Sequence, residues 1–233
     1  TDDLVALSTA QWLAMATDDL VGLNTSQWSA LATDDLVALD AAAQWAAMAS
    51  NDLLALTTSQ WSAMATDDLV ALDAATQWAR LATDDLQALR DAQWLALATD
   101  DLVALTTLQW ASMASDDLVA LTTAQWAALA TDDVAALTTS QWAAMASDDL
   151  QSLNSAQWSV LASDDLRDGL STAQWSQMAS ADLQALVAGQ WQVLDSADLR
   201  ALGTDQWSAM AIDEIRALRT AQWSAMATEE IQT

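Results

Sequence analysis

Tryptophan recurs along this chain every 16 or 17 residues, and no other feature restricts the fold as much. The positions are Trp12, Trp28, Trp45, Trp61, Trp78, Trp94, Trp110, Trp126, Trp142, Trp158, Trp175, Trp191, Trp207 and Trp223. Gln precedes every Trp, and Met or Leu follows three residues later; all eight Met occupy that last position. Self-similarity at a fixed period marks stacked repeats, in which each unit buries its apolar face only against its neighbours.

The unit divides again into two octads. An acidic octad reads Thr-Asp-Asp-Leu-Val-Ala-Leu-x, as in Thr99 to Leu105, and a second reads Thr-x-Gln-Trp-x-x-Met/Leu-Ala, as in Thr139 to Ala146. Fifteen acidic octads alternate with 14 Gln-Trp octads, and the three extra residues fall near Ala41, near Ala74 and between Asp168 and Ser171.

Ala, Leu, Gln and Met favour helix, and strand-like alternation is absent. One continuous helix fails as well. Eight residues at roughly 100° each turn the apolar stripe by about 80° per octad, so no single core could receive it. The helix must break near each octad boundary. Ser or Thr there is the expected N-cap, with the following Asp pair in the first turn, where the helix dipole favours negative charge. In Thr122-Thr123-Ala124-Gln125 the cap is either the Thr before the helix, with Gln125 completing a capping box, or the next Ser/Thr; the sequence leaves both open.

Helices of about six or seven residues cannot stand alone in water. The expected fold is therefore all-α: an α-solenoid of short two-turn helices, with about 14 coils of 16–17 residues over a single continuous array, 1–233, whether complete or part of a longer chain. The first coil is expected to pack Leu4, Leu7, Trp12 and Met15.

The alphabet excludes several functions. There is no Cys, no His and no Lys, which removes disulfides, thiolate chemistry, the commonest general base and Schiff-base or P-loop chemistry. Six Arg against 33 acids give a net charge of −27, which argues against nucleic acid and anionic membranes as partners. No apolar run approaches a membrane span. Carboxylates are abundant, yet the same residues repeat 14 times and no octad holds a unique catalytic constellation, so no enzyme is expected.

Two columns remain as candidate functional residues. The Trp column is expected to be a core ladder, each indole N–H meeting a Gln side chain or a backbone carbonyl; the alternative is an exposed stacking surface for glycans or for a neighbouring array. The acid column has an acid before the apolar residue in all 15 acidic octads and a second acid before it in 12. It reads first as dipole complementation on a solvated face. Its other reading is a set of cation sites, with Asp2, Asp3, Asp18, Asp19, Asp34, Asp35, Asp67 and Asp68 as ligands and Ca²⁺ as the one cofactor considered. Arg80, Arg90, Arg167, Arg200, Arg216 and Arg219 lie mostly toward the end of the chain, where Gly169, Gly189, Gly203 and Ile212 also depart from the pattern. This is either drift or a partner-facing surface.

The segment Thr123-Ala124-Gln125-Trp126-Ala127-Ala128-Leu129 resembles the Leu-Thr-Thr-x-Gln-(Ile/Val)-x-x-Leu arrays of large secreted or surface proteins of proteobacteria. The resemblance implies an extracellular or cell-surface protein with a structural or adhesive role. The chain starts in phase at Thr1-Asp2-Asp3-Leu4 and stops in phase at Thr228-Glu229-Glu230-Ile231. Uncapped ends of this kind are expected to stack head to tail with copies of the same chain, giving a filament or surface fibre. The alternative is a soluble binding module with a glycan or protein ligand on a Trp or Asp face.

Overall fold

A computed structural model describes residues 2–226, without the side chains of Asp2, Val5 and Ala41. The closing octad Thr228-Glu229-Glu230-Ile231 and the Asp2 carboxyl therefore lie outside the described residues. Among these, every regular element is a helix of three to six residues. The fold is an all-α solenoid of short helices, somewhat shorter than expected.

Contacts gather the chain into two compact units, Thr1–Leu121 and Thr122–Thr233. In the first, Thr58–Ala63 packs between Thr33–Val37 and Thr83–Gln87, and Thr66–Val70 packs between Ala41–Trp45 and Asp91–Ala96. In the second, Ser155–Val160 packs between Thr131–Ala135 and Ser180–Ala185, while Thr139–Ala144 lies on Asp165–Gly169. In each case the partners are three helices apart along the chain. The sequence repeats every two helices, but the stack winds at three. Two joined helices offer only one shared face, whereas a turn of three or more encloses an interior that can hold indoles. Because three is odd, an acidic helix always meets Gln-Trp helices at this contact. The two octad types must therefore be complementary rather than alike.

The breaks between helices use only extended backbone. Leu129 (φ −60°, ψ 144°) ends one helix and Ala130 (φ −68°, ψ 153°) begins the next. No described residue has a positive φ. Any L-residue adopts these angles, so a chain with four Gly and no Pro still interrupts its helices at every octad.

The capping ambiguity resolves differently in the two octads. In most Gln-Trp helices the first Ser, Thr or Asn is the cap: the Gln125 N–H donates to Thr122 Oγ1 at 3.2 Å and the Thr122 N–H donates to Gln125 Oε1 at 2.7 Å. In most acidic helices the expected Ser/Thr cap is not the cap. Ala130 and its equivalents occupy that position, and Thr131 is already inside the helix. The second acid takes over the task by reaching back, as in Ala98 N–H to Asp101 Oδ2 at 3.2 Å. The next two positions do hold acids in the first turn, as with Asp132 and Asp133.

Each extra residue is absorbed as a wider turn. Trp45 donates to Asp40 O across five residues at 3.2 Å, within the π-helix Ala41–Trp45, and Trp78 reaches Asp73 O in the same way at 3.3 Å. The third extra residue lies inside an acidic helix, the π-helix Asp165–Gly169. Gly169 is required there, since a Cβ would sit 2.9 Å from Trp142 Cβ and 3.1 Å from Thr139 O.

Candidate functional site

Three columns face inward, and their chemistry follows from the octad pattern. Leu and Trp fill the apolar core. Trp12 through Trp191 are fully closed to solvent, while Trp207 and Trp223 are half-buried and lie against each other with ring centroids 6.4 Å apart. The glycan-stacking face that exposed indoles would provide is therefore missing along Trp12 to Trp191. Nor do ten of these indole N–H groups find the Gln or backbone-carbonyl partner expected for them. Nε1 of Trp12, Trp28, Trp45, Trp61, Trp78, Trp126, Trp142, Trp158, Trp175 and Trp191 has no hydrogen-bond partner among the described residues. The burial of so large a ring outweighs that loss.

The glutamine amides are engaged elsewhere. Gln93 is wholly buried; its Oε1 accepts the Arg90 N–H at 2.7 Å, and its Nε2 donates to Trp61 O at 3.0 Å and Met64 O at 2.9 Å. Gln60 makes the same set with Thr57, Trp28 and Leu31, and Gln157 with Asn154, Trp126 and Leu129. One side chain thus caps its own helix and ties it to the end of the helix four places back. Glu could accept the cap N–H but could not donate to two carbonyls, which is why the position is Gln before every Trp. Sequence reasoning missed this long-range role. Its signal was a polar residue that never varies across 14 repeats, which a solvated position has no reason to show.

The acid pairs split. The first acid points out: Asp18, Asp34 and Asp67 are exposed. From Asp35 to Asp198 the second acid points in, and Asp35, Asp52, Asp68, Asp85, Asp101, Asp117, Asp133, Asp149, Asp165, Asp182 and Asp198 are buried, while Glu214 is only half-buried. Asp3 and Asp19 remain exposed. Of the seven cation-ligand candidates whose side chains are described, then, only Asp35 and Asp68 are enclosed, and the pairs Asp34/Asp35 and Asp67/Asp68 each split between the surface and the interior. Among the described residues no group of three or more acids comes together as a metal would need. Burial pushes Asp68, Asp85, Asp101, Asp133, Asp182 and Asp198 up to about 6, against the pull of backbone N–H groups. Asp117 is pushed up to about 6 by the same burial, despite the Ala114 N–H and the Trp94 indole. Asp52, Asp149 and Asp165 are raised for the same reason.

Residues 110–147 match the ALTTAQ repeat family. The six letters of that name can be read at Ala120-Leu121-Thr122-Thr123-Ala124-Gln125, inside the matched stretch. The likeness supports a short helical repeat. No curated protein matches the chain.

The cations are peripheral. Arg167 pairs with Asp164 at 3.2 Å and Asp168 at 2.6 Å, and Arg216 with Asp213 at 3.5 Å, all on the surface. Such pairs add little stability. Arg200 instead bonds Ser196 O at 2.9 Å. Arg167, Arg200 and Arg216 share one register position, the outward residue after the buried apolar one, where Val21, Val37 and Val70 stand earlier.

Proposed function

We propose that the chain is a structural, non-catalytic repeat protein that assembles with copies of itself, head to tail, into an extracellular filament or surface fibre. The observation that supports this reading is a set of half-used glutamine positions. The Oε1 of Gln11 and of Gln27 accepts the N–H of Ser8 and of Asn24, yet neither Nε2 donates to a carbonyl among the described residues. Conversely, no glutamine amide there reaches the carbonyls of Trp207 and Met210, and Trp207 and Trp223 are incompletely covered. Unused donors in the first coils match unused acceptors in the last described coils. They have the spacing that Gln44 uses on Trp12 and Met15, at 3.0 and 2.8 Å. More of the same repeat fits both faces, and in the proposed assembly a second copy provides it through a heterologous contact, the kind that builds a filament when its rotation does not close.

The extracellular setting rests on the resemblance to large secreted repeat arrays. The closed indoles weigh against a Trp-lined ligand surface. The test is electron microscopy and sedimentation of the purified chain, with and without Ca²⁺. Filaments should form, the Gln11→Leu/Gln27→Leu double variant should remain as single molecules, and Ca²⁺ should at most promote assembly by screening the outward acids. A monomer at high protein concentration under both conditions overturns the reading.

A further inference from the structure

We propose that the column of inward-facing aspartates is a built-in acid switch, so that the repeat stack tightens when the surroundings become mildly acidic and loosens when they return to neutral. The geometry lies in what surrounds each carboxyl. Asp85, on Thr83–Gln87, is buried between Thr58–Ala63 and Thr107–Ser112, and neither of those helices carries an ionisable side chain. The only charge acting on it is Asp84 of its own helix. Asp68 feels the charges of Asp67, its outward neighbour, and of Asp40, which are also acids; Asp91–Ala96, packed on the same helix, carries Asp91 and is capped by Arg90. Asp133 feels Asp132, its outward neighbour, and Ser155–Val160, packed on its helix, has no ionisable group. Asp182 lies between Ser155–Val160, which has no ionisable group, and Thr204–Ala209, which has Asp205.

No arginine neutralises these positions. One oxygen is directed at the cap N–H of its own helix, while Oδ2 of Asp68 and of Asp182 is buried with no partner. An ionised carboxylate in that setting is poorly solvated, whereas a protonated one is a neutral group that fits the site. The switch is also distributed. Ten of the buried aspartates, Asp52 through Asp198, are raised and recur in register along the chain, so many small gains add up within each unit.

The sign follows from linkage. Burial holds these carboxyls at about 6 in the folded chain, against 3.8 for a solvated aspartate. The folded state therefore takes up protons that the unfolded state takes up only at lower pH. The stabilising contribution is full below about pH 4 and is lost as the pH rises through about 6. Near neutral pH the column is charged and works against the fold.

Two variants with matched charge test this. Asp68→Asn/Asp85→Asn/Asp133→Asn removes three inward carboxylates, and Asp67→Asn/Asp84→Asn/Asp132→Asn removes three outward ones. Both change the net charge equally, so general repulsion cannot separate them. The unmodified chain should melt about 10 °C higher at pH 5 than at pH 7.5. The inward variant should be more stable than the unmodified chain at pH 7.5, with a smaller rise on acidification. The outward variant should keep most of the rise. Carboxyl-carbon NMR titration of the unmodified chain, which depends on no variant, should show side-chain midpoints near 6 beside a main group near 4. Equal behaviour of the two variants, or no carboxyl titrating above 5, overturns the proposal.

Discussion

The two helix types of this repeat share one octad grammar but hold their polar residues by opposite means. In a Gln-Trp helix such as Ser155–Val160 the buried polar group is an uncharged amide with its acceptors and donors used: Gln157 takes the Asn154 N–H and gives to Trp126 O and Leu129 O. In an acidic helix such as Thr83–Gln87 it is a carboxyl raised to about 6 by burial, with no cation facing it. The first arrangement rigidifies and sets register, while the second carries a charge burden at neutral pH. Alternation at an odd packing interval places one kind against the other throughout each unit. Between helices three apart, the acidic helices of Asp52 to Asp198 thus set a pH-sensitive element against a stabilising one.

The strongest way to break this comparison is through the indoles. Trp158→Ala removes a fully closed side chain and should destabilise the chain by about 3–5 kcal/mol in equilibrium urea unfolding. Trp207→Ala, at a half-buried ring, should cost about half as much. Equal losses at the two positions would mean that the last described coils are as closed as the middle ones.

Next comes the amide. Gln157→Leu keeps the volume but leaves the Asn154 N–H and two buried carbonyls without their partner, for a loss of about 2–4 kcal/mol. The comparison predicts the opposite sign for Asp85→Asn at pH 7.5, where a buried charge becomes a neutral amide of the same shape. If both substitutions destabilise to the same extent, the two helix types do not differ in the way argued here.

The sequence disclosed the unit well and the winding poorly. The 80° drift per octad, the absence of alternation and the fixed Trp spacing were enough for short helices in an α-solenoid, because these depend on residues close in the chain. The three-helix packing interval depends on how many short helices enclose an indole, and nothing local encodes that number. The same division runs through the site. The capping box at Thr122 and Gln125 was legible from four residues, whereas the Gln125 amide's long-range task was not. The acid pair read as one face because Asp34 and Asp35 are neighbours. In a first turn consecutive residues are about 100° apart, so one goes out and the other in.

At the π-turn of Asp165–Gly169 an extra residue was accommodated only because Gly169 has no side chain. Gly169→Ala places a methyl group 2.9 Å from Trp142 Cβ and should cost about 1–3 kcal/mol. Gly189→Ala, whose added carbon would meet nothing within 4 Å, is the control and should be neutral or slightly stabilising. Capping gives a smaller contrast. Asn154 accepts from Ala156 N at 3.0 Å and Gln157 N at 3.1 Å, so Asn154→Ala should lose about 1 kcal/mol. Ala146 caps the following acidic helix with no side-chain acceptor, so Ala146→Ser should gain somewhat less than that.

The smallest effect tests whether the outward column differs in kind between the two units. In Thr1–Leu121 that column is mostly Val, at Val21, Val37, Val70, Val103 and Val119, all substantially exposed. In Thr122–Thr233 it holds Gln151, Arg167, Gln184, Arg200 and Arg216. Where Gln stands there, its Nε2 bonds the end of a neighbouring Gln-Trp helix: Gln151 gives to Gln177 O at 2.6 Å and Gln184 to Ala209 O at 2.5 Å. Gln87, the one Gln of that column in the first unit, gives to Ser112 O. By the same register Val70 faces Ala96 O, on the helix Asp91–Ala96 that packs against its own. Val70→Gln should therefore add one surface hydrogen bond, remove one exposed apolar side chain, and raise stability by about 0.5 kcal/mol. Val103→Thr, too short for such a bond, should leave stability unchanged. A gain at Val70 carries the rule of Gln87, Gln151 and Gln184 over to the valine column, and the two units then differ there only in side chain; a loss would show that the backbone beneath that column has diverged as well.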